Sequence, residues 1–346
     1  MSVPITLAAF KDNFPFSGVL EEQMTYVLNA ATRAPSTHNS QPWLFKIHKE
    51  RLSVYRDTSI LLPYSDSVGR YSYVSIGFLL HHISSITAFF GMSTHFTIDA
   101  TGDHIADITF ELSTGTIDET YESLIRAIFT RRNRRGLFNP NVEIPEDLLI
   151  QLRQPSSLTP HDLRPPEVAT LIEKEKIKIV AEQTAKNILR VYALPMFRNE
   201  MSYWITPTGS RKRTGLPGYS LNQPVILSWI LPTMIRFLNM GPVLSKLNFG
   251  AIASSKAVVG FGAEESFIGW LGVGFQASHA ALTLCAQGFD YSVFVASVEY
   301  EDTRAAATVA FTLQSPLQFL FAAGKIDGEV DWMTPRIPLK DKLRRS

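Results

Sequence analysis

The sequence predicts an α+β protein built as two similar lobes, and three observations carry that prediction. Residues 74–90 and 270–286 are long apolar runs, each closing at a glycine, Gly91 and Gly288, a residue suited to a helix C-cap. Each run is followed by segments of strand character: 94–98 and 105–112 after the first, 291–298 and 317–324 after the second. A chain of 346 residues, 45% hydrophobic and 19% charged, is long enough and apolar enough to fill two domain-sized lobes.

The elements follow in order. Residues 24–31 have helical periodicity and stop short of Pro35, after which 44–48 alternates as a half-buried strand. Residues 52–55 read as a second strand and 63–67 as a turn. After the 74–90 helix and its two strands, 121–129 reads as a helix leading into the basic run Arg131-Arg132-Asn133-Arg134-Arg135-Gly136-Leu137-Phe138. Asn139-Pro140 and Pro145 break the pattern there, so the first lobe is expected to span 1–130 and the second 131–346. The second lobe opens with helices at 145–152 and 166–194. Residues 196–250 interleave prolines and glycines with apolar patches, and are expected to form an irregular lid-like insertion. A buried strand at 256–261, the 270–286 helix and strands at 291–298 and 317–324 complete the lobe.

Bulk properties narrow the function. A formal charge of +1 gives no general attraction to nucleic acid or to anionic membrane. The single Cys285 excludes an internal disulfide framework. The N-terminal stretch 1–16 lacks the basic-then-apolar pattern of a signal peptide. The most apolar later stretch, 225–238, is interrupted by Pro232 and Arg236 and is too short to span a bilayer. A soluble, cytoplasmic protein is expected. His81, His82 and His279 have no ligands at metal spacing, so no metal is expected. Gly272-Val273-Gly274-Phe275-Gln276-Ala277 fits a dinucleotide pattern but falls inside a helix, where close helix packing explains it better. No G-x-S-x-G elbow occurs.

Two segments carry candidate chemistry. Arg33-Ala34-Pro35-Ser36-Thr37-His38-Asn39-Ser40-Gln41-Pro42-Trp43 is a loop bracketed by prolines and dense in amides and hydroxyls. It suits either an ordinary turn or the polar edge of a flat heteroaromatic ring. The 131–138 run sets four guanidinium groups and an amide within five residues. It is either a solvated charge run or a clamp for a phosphate monoester.

Pro35 to Trp43 resembles the P-S-[ST]-x-N-x-Q-P-W loop of the nitroreductase-like flavoprotein family, and Arg131, Asn133 and Arg135 resemble its R-x-[SN]-x-R motif. Phe138 falls one place later than in single-lobe members. The loop precedes the arginines here, the reverse of the single-lobe order, as in the two-lobed, Acg-type branch. Asp66…Arg70 with the helix after it, Trp270 to Gly288, Ser315 to Gly324 and Thr334-Pro335-Arg336 are similar to further elements of that branch.

The resemblance implies a nitroreductase-like fold: two lobes, each a mixed or antiparallel sheet packed by helices, forming an intramolecular pseudo-dimer with one composite FMN site. It implies that Pro35, Ser36, Thr37, Asn39 and Gln41 meet the flavin ring. It implies that Arg131, Arg132, Asn133 and Arg135 hold the phosphate and ribityl chain, with Arg134 as a possible sharer and Arg336 as a second phosphate contact. The turn 292–296 is expected to offer backbone N–H groups near flavin N5. No side chain is expected to be catalytic in its own right. The implied activity is reduction of small nitroaromatic, quinone or similar acceptors by NAD(P)H through FMN, in a monomer or a homodimer. The alternative is an FMN-sequestering protein whose lid denies access to the flavin; oxidative flavin cleavage has no specific support.

Overall fold

The computed structural model describes residues 6–99 and 102–344; the first residues of the 1–16 stretch lie outside this range. The first half contains α1 (Leu7–Asp12), α2 (Leu20–Ala31), β1 (Trp43–His48), β2 (Arg51–Arg56), α3 (Arg70–Phe89), β3 (Thr94–Ile98), β4 (His104–Phe110) and α4 (Glu122–Thr130). Then come α5 (Glu146–Arg153), β5 (Glu167–Leu171), α6 (Lys174–Ala193), α7 (Pro195–Trp204), β6 (Ile205–Thr206), β7 (Leu216–Pro217), α8 (Val225–Phe237) and α9 (Gly241–Ala253). The chain closes with β8 (Ala257–Gly262), α10 (Phe267–Ala286), β9 (Asp290–Val293), α11 (Glu301–Phe311) and β10 (Leu317–Gly324).

The strands form two four-stranded antiparallel sheets, ordered β1-β2-β4-β3 and β5-β8-β10-β9, and a small parallel pair, β6-β7. In each large sheet the edge strand that follows the long helix in sequence, β3 or β9, lies beside the last strand of the set. The fold is thus α+β with two similarly ordered sheets.

Helices α3 and α10 form the centre. Both are twenty residues long and almost wholly buried, which is why their sequences are apolar on every face. They meet at glycines that occupy the same position in each helix. A Cβ on Gly77 would lie 2.2 Å from the Leu271 carbonyl oxygen, and one on Gly274 would lie 2.0 Å from that of Val74. Only glycine permits this approach, so Gly274 of the Gly-x-Gly pattern is a helix-crossing residue, while Gly272 packs against the Arg164 carbonyl. One step along, His81 Nδ1 and Ser278 Oγ, again equivalent positions, share a hydrogen bond of 3.0 Å. Asp66 starts α3 by accepting from the Tyr71 and Ser72 amides, both at 3.0 Å, and the Ser266 hydroxyl starts α10.

One core runs from Phe45, Val54 and Ile108 on the first sheet, through α3 and α10, to Val259, Phe261 and Phe321 on the second. The opposite face of the second sheet, with Val258 and Leu320, packs on α6 and α11. Strands β8 and β10 are therefore buried on both faces and read as continuous apolar runs.

Several sequence expectations need correction. The expected helix at 166–194 begins as strand β5, where Val168 and Thr170 are β-branched and pair with β8; α6 starts only at Lys174. The expected strand at 291–298 ends at Val293 and tightens into a 3-10 turn over Ala296–Val298. The 196–250 region is mostly helical, not irregular. Two of its five prolines lie at helix starts, Pro224 before α8 and Pro242 in the first turn of α9, while Pro232 is carried inside α8. Only the segment between α7 and α8 keeps the strap-like character expected of the whole. Helices α1 and α11 were not anticipated.

Candidate functional site

A cavity of about 1280 Å³ opens beside the α3–α10 centre, larger than the roughly 300–1,000 Å³ of a typical small-molecule site. One wall is the loop after α2, another the run after α4, and a third the segment between β10 and the C-terminus. The strap between α7 and α8 lies over it through Pro207, Arg213, Leu216 and Tyr219.

The loop is held in an unusual backbone. His38, Asn39 and Gln41 all have left-handed φ, at 51°, 54° and 54°, a conformation that side-chain-bearing residues adopt at a cost of about 1–3 kcal/mol each unless their surroundings compel it. The surroundings do so. Ser36 Oγ accepts from the Gln41 amide at 2.9 Å, and Asn39 Oδ1 accepts from Arg336 at 2.8 Å. Gln41 Oε1 accepts from the Ile337 amide at 2.8 Å, and the buried Lys342 ammonium donates to the Gln41 carbonyl at 2.8 Å. The C-terminal segment thereby clamps the loop, and it continues past it to bridge β1 at Phe45.

Pro35, Ser36, Thr37 and Asn39 line the cavity, as do Arg131, Arg132, Asn133, Arg135 and Arg336. Nine of the ten expected site residues are brought together. Gln41 is the exception, and the expectation of a ring contact there is corrected. It is fully buried, its amide nitrogen donating to the Asn39 and Arg213 carbonyls and its oxygen taken by Ile337.

The arginines divide by what they already hold. Arg134 does not line the cavity; it bonds Asp290 and the carbonyls of Ile326, Asp327 and Gly328, fixing the run to the second sheet. Arg132 turns back on the C-terminal carbonyls of α4 and on Trp332, a favourable place for a cation. Arg336 donates to the Thr32 carbonyl at 3.0 Å and the Arg33 carbonyl at 2.9 Å as well as to Asn39. Arg131 donates to Tyr291 Oη at 3.4 Å and to the Arg33 carbonyl, but its Nε is buried without a partner. Arg135 lines the cavity and donates to no group among the described residues. Asn133 lines the cavity too, while its Oδ1 accepts from the Val293 amide at 3.0 Å.

Arg33 was quoted within the loop but not singled out; it also lines the cavity, 4.8 Å from the Phe129 ring centroid, and with Arg213 of the strap brings the cavity guanidiniums to six. None of Arg33, Arg131, Arg132, Arg135 and Arg336 makes an ion pair among the described residues, and Asp331 is the only carboxylate residue on the cavity wall. The physical signature is mutual crowding. Burial, then Arg131 and Arg33, push Arg336 down to about 9; burial, then the same two neighbours, push Arg132 down to about 10. Burial also lowers Arg135 and, with Arg131, Arg33. Burial, with Arg135 nearby, takes the His38 imidazole down to about 4, so it is neutral at pH 7. A cluster of desolvated cations without anions is electrostatically incomplete; a multiply charged anion such as a phosphate monoester completes it.

Apolar lining comes from Val74 and Phe78 on α3, from Val293 and Phe319 on the second sheet, and from Val295 just after β9, among polar residues such as Tyr71, Ser75 and Tyr291. Tyr71, Val74, Ser75 and Phe78 share one face of α3, a helical spacing visible in the sequence that was read only as core. The expected backbone donors at 292–296 are partly spent, since the Val293 amide bonds Asn133 and that of Phe294 reaches the Leu320 carbonyl at 3.5 Å. An anion-binding end, an amide-bearing edge and apolar walls together match the three parts of a flavin mononucleotide. No buried acid–base dyad is required in the lining for the residues to fit that group.

No family model matches the chain. Among curated proteins it is 36% identical over 75 residues to "Putative NAD(P)H nitroreductase Rv3131" of Mycobacterium tuberculosis, covering 22% of this chain and 21% of that protein. It is 26% identical over 211 residues to "Putative NAD(P)H nitroreductase acg" of the same organism, covering 60% of each. The matched segments thus span a fifth to three-fifths of those relatives' length. Among solved structures, the FMN- and NADPH-dependent nitroreductase NfnB of a Sphingopyxis strain aligns at 19% identity over 64% of this chain and 98% of that one, with a TM-score of 0.43. NfnB of Mycobacterium smegmatis, solved with NADPH, aligns at 16% identity over 66% and 99%, with a TM-score of 0.36. In sequence, as its loop and arginine motifs imply, this chain is similar to the NAD(P)H nitroreductases.

Proposed function

We propose that this protein is an FMN-dependent oxidoreductase that takes electrons from NAD(P)H and passes them to a small nitroaromatic, quinone or similar acceptor. The observation that carries the reading is the set of six guanidinium residues, none ion-paired among the described residues, converging with the 35–39 loop on one cavity. Arg131 and Arg135, with free donor capacity, hold the phosphate; Arg33 and Arg132 add charge beside it. Arg336 acts mainly by fixing Asn39 and the loop, and Ser36, Thr37 and Asn39 face the polar edge of the ring. Bound FMN supplies hydride and electron transfer at N5. The chain's own work is to bind, orient and exclude water, with protons drawn from solvent.

The same reading treats the chain as two lobes divided near residue 130, arranged as a pseudo-dimer with one composite site. The matched order of the two sheets and the equivalent glycines of α3 and α10 support that arrangement. It operates as a monomer or as a homodimer, in the cytoplasm.

A second reading, flavin sequestration with little turnover, is favoured by one specific observation. The strap is hydrogen-bonded across the cavity: Gly215 N–H to the His38 carbonyl at 3.0 Å, Gln41 to the Arg213 carbonyl at 2.8 Å, and Tyr219 Oη–H to the Met333 carbonyl at 3.0 Å. Anaerobic addition of NADPH or NADH to the purified, FMN-loaded protein separates the two. Absorbance that bleaches within seconds supports turnover, and flavin that stays oxidised supports sequestration. A protein that takes up no FMN on reconstitution overturns both.

A further inference from the structure

Helix α8 is amphipathic in the wrong direction for a helix facing water. Its only buried residues are Ser228 and Ile235, while Val225, Ile226, Trp229, Ile230 and Phe237 are exposed, Ile226 by 83%, Trp229 by 61% and Phe237 by 69%. Leu247, on the neighbouring α9, is 62% exposed. By contrast α6, also at the surface, turns lysines and glutamates of both signs outward. A contiguous apolar face of this kind signals an interface.

The charge pattern identifies the occupant. Between Glu200 and Glu264 there is no acidic residue, yet the stretch carries Arg211, Lys212, Arg236 and Lys246 at the surface, besides Arg213, which lines the cavity, and Lys256, which is paired with Glu143. Arg236 lies 5.5 Å over the Phe237 ring, so cation and apolar residue share a face, and Lys246 is exposed beside Leu247. A second copy of the chain placed on this face would set like charges against each other. An anionic lipid surface accepts both the apolar residues and the cations. Among the described residues no single helix is long and apolar enough to cross a membrane; α8 and α9 together have the length and apolar content of a span but bend by 116° between them.

We propose that α8 and α9 form a peripheral membrane-docking element specific for anionic lipid, with Ile226, Trp229 and Phe237 entering the headgroup region. The test is sedimentation of the full chain with vesicles of phosphatidylcholine alone or mixed with phosphatidylglycerol. Expected are binding to the anionic vesicles, weakening as salt is raised, and a blue shift of tryptophan emission that Trp229→Phe removes. Ile226→Ser with Trp229→Ser and Phe237→Ser abolishes binding without lowering the melting temperature, because these side chains are exposed. Arg236→Gln and Lys246→Gln each weaken binding to anionic vesicles about fivefold and leave the neutral vesicles unaffected. The proposal is overturned if the chain ignores both vesicle types, or if the triple variant binds like the parent. It is also overturned if light scattering finds a dimer that the triple variant dissolves, which would make a second copy the occupant.

Discussion

The Arg135 guanidinium lines the cavity, yet it donates to nothing among the described residues, whereas Arg336 and Gln41 are saturated by their own chain. Truncating them therefore has opposite consequences. Arg135→Ala removes no internal hydrogen bond, so its melting temperature stays at the parent value. Its affinity for FMN falls about ten- to a hundredfold, the worth of one charge-assisted hydrogen bond; fluorescence titration measures this. With Arg131→Ala added the protein is isolated colourless, and retention of full flavin by that double variant would remove the phosphate assignment. Gln41→Ala instead strands the buried Ile337 amide and costs about 1–3 kcal/mol of stability, read as a lowered denaturation midpoint. The sequence displays the side-chain types of this loop but not their direction. Asn39 and Gln41 look alike as amides, and their partners from the 333–342 segment, nearly three hundred residues on, are what separate them.

Paired helices α3 and α10 concentrate the fold's sensitivity. Gly77→Ala or Gly274→Ala forces a methyl against a carbonyl oxygen of the facing helix; overpacking of this kind costs about 1–3 kcal/mol. Both changes should lower the melting temperature and loosen the cavity wall that α3 supplies. The same helices make the protein acid-sensitive. Burial holds His81 and His82 well below the ordinary imidazole value and takes His279 to about 4, with His82 also facing Arg131 and Arg336. The unfolded chain therefore binds these protons first. Stability is complete above about pH 6.5 and falls as the pH drops toward 4. Thermal unfolding followed between those limits should show that decline, and His82→Leu should flatten it. Elements buried on one core were readable because their apolar period is unbroken, as in α3, α10 and β10. Segment 166–171 was misread because apolar pattern alone did not separate a short edge strand from the first turns of α6. In 196–250, prolines at helix starts were taken for breaks, since a proline looks the same at N1 as in a loop.

The two long central helices and the strands that follow each of them were visible as glycine-ended apolar runs with alternating segments behind them. The tail that leaves β10, crosses the cavity and pairs with β1 carries no periodic signal, so only the assembled molecule reveals it. Tail and strap both line the cavity and are bonded to each other and to its walls. Tyr219 Oη–H bonds the Met333 carbonyl of the tail at 3.0 Å, and the Asn222 amide bonds the Arg135 carbonyl at 2.7 Å, so each ties the strap to a different wall. Tyr219→Phe with Asn222→Ala deletes both ties while leaving the arginines and the loop in place. At about 0.5–1.5 kcal/mol for each hydrogen bond, the open state gains about five- to a hundredfold in population. If strap opening limits the encounter of NADPH with the flavin, anaerobic bleaching accelerates by that factor and flavin release accelerates with it. If bleaching is unchanged while release rises, the strap retains the cofactor without gating the reductant, and the sequestration reading loses its support.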